Sequence, residues 1–304
     1  MHSYNSSVTD KFTGTGVALV TPFHTDGSID FTSLKKLIHH IIDGGVEYLV
    51  SMGTTGESAT LSEQERFSII DFTVQEAAGR VPVVGGFGGN NTQAIIDSVQ
   101  KFRKEGHASL DAILIASPYY NKPSQEGIYR HYMAIDAAVD LPIILYNVPG
   151  RTSSNMESET TLRIANDASH VIAIKEASGN FAQCMRIIRD APSQFLVISG
   201  DDPITLPFIS VGMRGVISVV ANAFPRSFSD MVRAALDQHF EKANPLHYQL
   251  LAFTELIFKE GSPAGVKAAL KHMQLCGDAV RLPLWPVSEG LEKKIVEEVN
   301  RINA

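Results

Sequence analysis

A lysine stands near the end of a short apolar run, in a segment that begins at Val171 and reads Val-Ile-Ala-Ile-Lys-Glu-Ala-Ser-Gly. A strand buried on both faces reads as a continuous apolar stretch, so a lysine inside one requires an explanation. Side chains alternate along a strand, so we expect Val171, Ala173 and Lys175 to share one face. Ile172 and Ile174 would then take the opposite face.

The chemistry available to such a lysine depends on its surroundings. Burial disfavours the charged form of a lysine side chain. A neutral amine near neutral pH can attack a carbonyl carbon and form a Schiff base. The alternative is a strand-end lysine that forms an ion pair with a carboxylate such as Glu176. This segment leaves both interpretations open, and the rest of the chain favours the first.

A tyrosine and an arginine follow a second apolar run, in Ile143–Thr152. Tyr146 shares its predicted face with Ile144, at nearly the same depth as Lys175. A phenol close to an amine can transfer protons as a general acid and base. Arg151 lies in a Pro-Gly turn, where its planar fork can hold a carboxylate through two hydrogen bonds. The alternatives are a core tyrosine and an exposed loop arginine.

Two loops carry hydroxyl groups. Gly53-Thr54-Thr55-Gly56-Glu57-Ser58 places adjacent threonines between glycines, and such a loop can bind a small anion with hydroxyl and backbone N–H donors. A tight turn is an equally good interpretation of this loop. Tyr119 and Tyr120 stand in a loop bounded by prolines. They favour packing at an interface, with presentation of a phenol to a site as the alternative.

The elements that position these residues alternate regularly. Helical segments separate eight short apolar runs: Gly16–Thr21, Val46–Met52, Pro82–Phe87, Ala112–Ser117, Ile143–Val148, Val171–Ala177, Phe195–Gly200 and Gly215–Val220. This order predicts βαβ units and a parallel sheet. Eight units predict an α/β fold of the closed (β/α)8 type, the TIM barrel, whose active sites lie at the C-terminal ends of the strands. An open doubly wound sheet is the alternative, but its dinucleotide fingerprint is missing.

Helix boundaries and domain limits follow from the same pattern. Ser62, Thr92 and Ser124 are predicted N-caps, the first within a capping box. Pro225–Phe240 is predicted to close the barrel, and helices at Pro245–Glu260, Pro263–Leu275 and Glu289–Ile302 follow. We therefore predict a catalytic barrel over residues 1–234 and a C-terminal helical domain, or appendage, over residues 235–304.

Composition excludes several function classes. The chain has 304 residues with a net charge of −7 and no Lys/Arg-rich run, which disfavours nucleic acid and anionic membranes as partners. No apolar run approaches the roughly 18 residues of a membrane span. The first seven residues lack the features of a signal peptide. Cys184 and Cys276 lie in helical patterns and predict reduced thiols in a cytoplasmic protein. Asp201-Asp202 resembles a metal pair, but no histidine cluster accompanies it, so no metal site is predicted.

Together these segments resemble the dihydrodipicolinate synthase family of Schiff-base aldolases, a group that also includes N-acetylneuraminate lyase. The matching pieces keep the family's order and spacing over about residues 13–300. They are Gly53–Ser58, Ser117–Gly127, Tyr146–Thr152, Ile174–Ala177, Ser199–Asp202 and Gly215–Val219. The Gly150-Arg151-Thr152 extension is similar to the synthase branch.

The resemblance implies specific roles at the reacting centre. Lys175 would form a Schiff base with pyruvate, and Tyr146 would relay protons through Thr55 to Tyr120. In the family that last tyrosine enters from a neighbouring subunit, so a homotetramer built from dimers is expected. No organic cofactor is implied. The expected reaction is condensation of pyruvate with L-aspartate 4-semialdehyde, which gives 4-hydroxy-tetrahydrodipicolinate and opens diaminopimelate and lysine biosynthesis.

The resemblance also implies binding roles. Thr54 and Thr55 would hold the pyruvate carboxylate, and Arg151 would hold that of the aldehyde. Backbone at Gly200 and Ile217 would line the pocket. Two alternatives stay open. One is a lyase that releases pyruvate from a sialic acid or a 2-keto-3-deoxy sugar acid by the same chemistry, and the other is a non-catalytic barrel that binds pyruvate or assembles with partners.

One departure from the family concerns regulation. Lysine-inhibited members carry histidines shortly after the Gly-Thr-Thr-Gly-Glu-Ser loop and a glutamate in the third helix. The chain has Glu63, Arg66 and Ala94 at those positions. Weak or absent inhibition by lysine is therefore expected.

Overall fold

The computed structural model describes residues 6–304, in which eight parallel strands close into a barrel. The strands follow one another in chain order, and the first also pairs with the last. They are β1 Gly14–Ala18, β2 Tyr48–Ser51, β3 Val83–Gly86, β4 Ala112–Ala116, β5 Ile143–Asn147, β6 Val171–Glu176, β7 Leu196–Ser199 and β8 Gly215–Ser218. Strands β2 to β8 each lie within their predicted apolar runs, and β1 begins two residues before its run, at Gly14. The (β/α)8 barrel is therefore confirmed.

Helices surround the barrel and extend beyond it. In the described part of the chain they are α1 Ser6–Thr9, α2 Phe31–Asp43, α3 Glu63–Ala77, α4 Thr92–Lys104, α5 Gln125–Ala138, α6 Pro149–Thr152, α7 Ser158–Asp167, α8 Phe181–Asp190, α9 Thr205–Ser210, α10 Pro225–Leu236, α11 Phe240–Phe258, α12 Ala264–His272 and α13 Glu289–Asn303. None of the helices described is both long and apolar enough to cross a membrane. The first five residues of the segment considered for a signal peptide lie outside this description.

Side chains alternate between the interior of the barrel and the surrounding helices. On β5, Ile144 and Tyr146 join the apolar cluster inside the barrel, as predicted. Ile143 and Leu145 join the larger cluster beneath the helices. Inward-facing residues near the C-terminal end of each strand therefore lie at the mouth of the barrel, where the loops can reach them.

Strand β6 departs from the predicted alternation because it contains a β-bulge. Ile143 pairs with Val171, but the next residue of β5, Ile144, pairs with Ala173. The extra residue, Ile172, lies inside the barrel beside Ala173, while Val171 faces the helices. The prediction that Val171 shares the face of Lys175 was wrong, because a bulge inserts one residue and changes the phase of the strand.

The N-terminal end of the barrel is filled by aromatic side chains. Phe12 is fully buried and meets the ring of Tyr48 edge to face, with 5.5 Å between centroids. A Cβ added at Gly16 would lie 2.1 Å from the ring of Tyr48, so only glycine leaves room for it. This end is therefore packed with apolar groups, which leaves the opposite end for chemistry.

Two of the three predicted N-caps are confirmed. Ser62 forms the full capping box with Glu65, and the hydroxyl of Ser124 caps α5. The prediction for Thr92 was wrong by one residue, because the side chain of Asn91 accepts the backbone N–H of Ala94. Two adjacent residues of good capping type cannot be told apart by sequence alone.

The boundary between the two helices that follow β8 differs from prediction. Helix α10 ends at Leu236 rather than Phe240, and α11 begins at Phe240 with Pro245 inside it. Proline is commonest in the first turn, which is why the sequence indicated a later start. Helix α11 packs against α10, α12 and α13. The predicted domain boundary at residue 235 falls in the last turn of α10 and stays a proposal.

Candidate active site

Lys175 and Tyr146 lie side by side at the C-terminal ends of neighbouring strands. They are paired in register between β5 and β6. Both side chains are buried, each with about 6% of its surface exposed. The Nζ atom of Lys175 lies 4.3 Å from the centroid of the Tyr146 ring. The two residues thus lie at the same depth in the barrel, as the sequence predicted, and the amine contacts the aromatic ring.

Glu176 is not the partner of Lys175. It is fully buried, and it points toward a polar cluster in which Asn147 and Gln183 each donate to it at 3.1 Å. The backbone N–H of Ser178 also donates to Glu176, at 2.8 Å. Successive residues of a strand face opposite ways, so a carboxylate directly after the lysine cannot share its face. The ion-pair interpretation of Lys175 was therefore wrong.

Gly200 makes room for the side chain of Lys175. A Cβ added at Gly200 would lie 2.9 Å from Cε of Lys175 and 2.8 Å from Cβ of Ala177. Its backbone N–H donates to the carbonyl of Glu176 at 2.8 Å. Ile217 is buried in the same interior cluster as Tyr146. Gly200 thus borders the lysine side chain, but neither Gly200 nor Ile217 is among the residues that line the cavity at this end of the barrel.

A cavity of about 560 Å³ opens at this end of the barrel. Tyr146, Thr54 and Arg151 all line it. Thr55, in contrast, is buried and does not belong to the lining. Of the two predicted carboxylate-binding threonines, only Thr54 is among the residues that line the cavity.

Arg151 belongs to the short helix α6, which begins at Pro149 and directly follows β5. Its side chain is exposed, and within the described residues its guanidinium forms no ion pair and no hydrogen bond. An arginine that lines a cavity without a protein partner is available to bind an anion.

Tyr120 does not reach the reacting groups of its own chain. Its side chain is 86% exposed, and its backbone is left-handed, with φ of +71°. Tyr119, which is 43% exposed, lines the cavity instead. We call the loop that carries Thr54 and Thr55, residues 52–58, the threonine loop. The structure therefore brings Lys175, Tyr146 and the threonine loop together but leaves Tyr120 outside.

Sequence reasoning assigned no role to Asp202, a buried carboxylate in the loop after β7. Asp202 accepts the backbone N–H groups of Val219 and Val220 through one oxygen, at 2.9 and 3.2 Å. Its other carboxylate oxygen is buried and has no partner among the described residues. Burial raises the pKa of Asp202 to about 6, although these hydrogen bonds and the charge of Lys175 oppose the shift. The sequence resembles a metal pair at this point, although no metal site was predicted there. In the structure Asp202 accepts hydrogen bonds from the backbone of the loop after β8.

Sequence reasoning also missed a group of ion pairs that joins the threonine loop to residues 262–284, which we call the C-terminal segment. Glu57, directly after Thr54-Thr55-Gly56, forms an ion pair with Lys267 at 2.5 Å, and neither side chain is exposed. Nearby, Arg281 holds Glu65 at 2.6 Å. We call these four residues, Glu57, Glu65, Lys267 and Arg281, the seam. The available signal was the same one that marked Lys175, a lysine inside an apolar segment, Ala264–Leu270.

The three positions that distinguish the chain from lysine-inhibited relatives lie on α3 and α4. The carboxylate of Glu63 accepts hydrogen bonds from Ser98 at 3.0 Å and from Lys101 at 2.5 Å. Arg66 lines the cavity, and its Nε atom has no partner among the described residues. Ala94 lies in the first turn of α4 and has no polar side chain.

Comparison with known proteins agrees with this geometry. The profile of the Dihydrodipicolinate synthetase family matches residues 11–302. The chain belongs to this family. A 4-hydroxy-tetrahydrodipicolinate synthase from Flavobacterium psychrophilum is 50% identical over 284 residues, which cover 93% of this chain and 96% of that relative.

Solved structures of the family superpose over nearly the whole chain. A chloride-inhibited dihydrodipicolinate synthase from Acinetobacter baumannii, complexed with pyruvate, has a TM-score of 0.92 at 36% identity, covering 96% of this chain and 99% of that one. A monomeric dihydrodipicolinate synthase variant has a TM-score of 0.93 at 37% identity, covering 97% and 98%. The family therefore keeps this barrel in both proteins.

Proposed function

We infer that this chain catalyses the Schiff-base condensation of pyruvate with L-aspartate 4-semialdehyde to 4-hydroxy-tetrahydrodipicolinate. This reaction opens diaminopimelate and lysine biosynthesis. The observation that carries the inference is the buried amine of Lys175, which contacts Tyr146 beside an open cavity and has no carboxylate partner among residues 6–304. Membership of the synthase family supports the same assignment.

The chemistry follows from the groups present. The Lys175 amine attacks the keto carbon of pyruvate, and loss of water gives an imine. The protonated imine is an electron sink, so the pyruvate methyl group loses a proton and attacks the aldehyde carbon. The amino group of the semialdehyde then displaces Lys175 and closes the ring. One water is released overall, and the enzyme amine is regenerated.

We assign the remaining groups by charge and position. Tyr146 transfers protons during imine formation, and help of this kind contributes roughly 10²–10⁴-fold to a rate. Thr54 and Thr55 hold the pyruvate carboxylate, with Thr54 facing the cavity and Thr55 behind it. Arg151 holds the carboxylate of the aldehyde, since its guanidinium lines the cavity without a protein partner.

We also propose that the working unit is a homotetramer built from dimers. The proton relay from Tyr146 through Thr55 requires Tyr120, but Tyr120 is 86% exposed in its own chain. A large aromatic side chain held outward by a left-handed backbone has the exposure expected of a group that a neighbouring copy covers. Tyr120 would then complete the site of the partner.

The competing interpretations are separable. The curated synthase relatives support condensation over cleavage of a sialic acid or a 2-keto-3-deoxy sugar acid. Arg151 also favours a carboxylate-bearing aldehyde over a neutral sugar chain. A non-catalytic barrel would bind pyruvate without covalent attachment.

Borohydride reduction in the presence of pyruvate tests the assignment. We expect peptide mass spectrometry to find the reduced pyruvate adduct on Lys175, and a coupled assay to show condensation with aspartate 4-semialdehyde. An unchanged protein mass would exclude Schiff-base chemistry. An adduct on Lys175 without condensation would instead support a lyase that acts on a sialic acid or a 2-keto-3-deoxy sugar acid.

We further propose that the enzyme is cytoplasmic and only weakly inhibited by lysine. Cys184 and Cys276 are both unpaired and buried, which suits a reducing compartment. Ala94 offers no carboxylate to a lysine ligand, and Arg66 would repel its amine. A lysine titration in the coupled assay checks this regulation, and an inhibition constant below the millimolar range would contradict it.

A further inference from the structure

The loop that carries Thr54 and Thr55 is held by contacts that lie outside the barrel. Two of its residues, Met52 and Glu57, have left-handed backbones, with φ of +60° and +57°. Such a conformation is uncommon for residues other than glycine, and the surrounding structure must hold it in place. The hydroxyl of Thr21 donates to the carbonyl of Gly56 at 2.7 Å, which fixes one side of the loop to the segment that follows β1.

The other side of the loop is held by Glu57. One carboxylate oxygen accepts a hydrogen bond from Nζ of Lys267 at 2.5 Å. The second oxygen accepts the backbone N–H of Arg281 at 3.0 Å. Both contacts come from residues more than 200 positions later in the chain, in α12 and in the segment that follows it.

Lys267 is committed to this contact. Its Nζ atom also donates to the carbonyl of Ala279 at 2.8 Å and lies 4.5 Å from the centroid of the Phe23 ring. Burial lowers the pKa of Lys267, and the nearby charge of Glu57 opposes the shift. A buried cation with one carboxylate partner is costly to separate from it, so the pair constrains the position of Glu57 strongly.

The C-terminal segment also forms part of the cavity wall. Ser262, Pro283 and Leu284 line the cavity together with Thr54 and Glu57. The same segment is fixed to α3 by Arg281, which donates to both carboxylate oxygens of Glu65 at 3.1 and 2.6 Å. Movement of α12 relative to the barrel would therefore be transmitted to the threonine loop.

We propose that Glu57 and Lys267 are positioning residues for the threonine loop, through which the C-terminal helices place Thr54 and Thr55 at the pyruvate carboxylate. This role rests on the proposed function, because it assumes that pyruvate is the ligand of the loop. Neither residue touches the reacting atoms in this role. A small displacement of a group that orients substrate is sufficient to cost roughly 100-fold in rate.

Rates of borohydride trapping at varied pyruvate concentrations test the proposal. In Lys267→Met we expect the half-saturating pyruvate concentration to rise roughly 100-fold, while the Lys175 adduct still forms at saturating pyruvate. Backbone hydrogen exchange should accelerate at residues 53–58 and stay unchanged in β5 and β6. An unchanged pyruvate dependence in folded Lys267→Met protein would overturn the proposal and leave the pair a purely structural role.

Two further variants keep the test decisive. Glu57→Gln/Lys267→Met removes both charges, so it avoids an unpaired buried ion and should fold even where the single variant does not. We expect weakened pyruvate dependence in this variant too, and wild-type behaviour would count against positioning. Lys271→Met is the matched control, since it removes another lysine of α12 whose partners, Asp278 and Glu292, do not belong to the threonine loop. Its pyruvate dependence should match that of wild type.

Failure of the proposed function gives a different result. If wild-type protein forms no adduct with pyruvate, the assignment of the reaction fails. Hydrogen exchange at residues 53–58 still reports whether Lys267 holds the loop. Unchanged exchange in Lys267→Met would overturn that part of the proposal without reference to any substrate.

Discussion

Two buried lysines define two regions of this molecule, the mouth of the barrel and the seam. Lys267, in the seam, donates to Glu57 and to the carbonyl of Ala279. The side-chain amine of Lys175, in the mouth, forms neither an ion pair nor a hydrogen bond within the described residues and contacts the ring of Tyr146. Both stand in apolar segments, so the difference lies in their partners. A buried lysine bound by a carboxylate serves the structure, and one without such a partner is available to a substrate.

The sharpest test of this comparison removes each lysine in turn. Lys175→Ala should abolish the pyruvate adduct and lower turnover by roughly 10⁴-fold or more, as expected for loss of a nucleophile. It should melt at or near the temperature of wild type, because no protein partner is left unpaired. Lys267→Met should instead lose about 3–5 kcal/mol of unfolding free energy. Equal destabilisation of the two variants, measured by denaturant unfolding, would remove the distinction.

The next test concerns the proton transfers assigned to the mouth. Tyr146→Phe keeps the ring that contacts Lys175 and removes only the hydroxyl. We expect turnover to fall roughly 10²–10⁴-fold with little change in stability. Steady-state kinetics and a thermal melt check both expectations. Near-normal turnover would exclude Tyr146 from the mechanism.

A smaller effect should separate the two substrates within the mouth. Arg151→Ala removes the exposed guanidinium of α6 and should raise KM for aspartate 4-semialdehyde about 10–100-fold, the range expected for hydrogen bonds to charged groups. The KM for pyruvate should stay close to its wild-type value. A change confined to pyruvate would contradict the assignment of Arg151 to the aldehyde.

The smallest expected effect is the pH dependence of the seam. Hydrogen bonds from Arg281 hold the pKa of Glu65 at about 2, below its usual value of 4.5. The folded pKa is depressed, so this contribution to stability is present above about pH 4.5 and is lost as the pH falls toward 2. Glu65→Gln should therefore cost about 1 kcal/mol at pH 7, and the difference from wild type should shrink below pH 4.5. A difference that stays constant between pH 7 and pH 3 in chemical unfolding would argue against this ionic contribution.

The sequence predicted the barrel and the mouth because both depend on short-range patterns. Apolar runs about 30 residues apart fix the strand order, and the C-terminal ends of β5 and β6 bring Tyr146 to Lys175. The seam was not predictable in this way. Glu57 and Lys267 are separated by 210 positions, and no local pattern pairs them. The error at Thr92 arose because Thr92 and its neighbour Asn91 both suit an N-cap. The error at Pro245 arose because proline usually marks the first turn of a helix, whereas Pro245 lies inside α11.

The β-bulge at Ile172 has a consequence for how this barrel tolerates change. Because of the extra residue, the inward and outward alternation of side chains before the bulge does not continue in phase into the last part of β6, which contains Lys175. The inward direction of the amine is therefore set by its register with Tyr146 rather than by the number of residues counted from the base of the strand. We expect that insertion or deletion of one residue near Ile172 leaves the orientation of Lys175 unchanged, provided that its pairing with Tyr146 is kept.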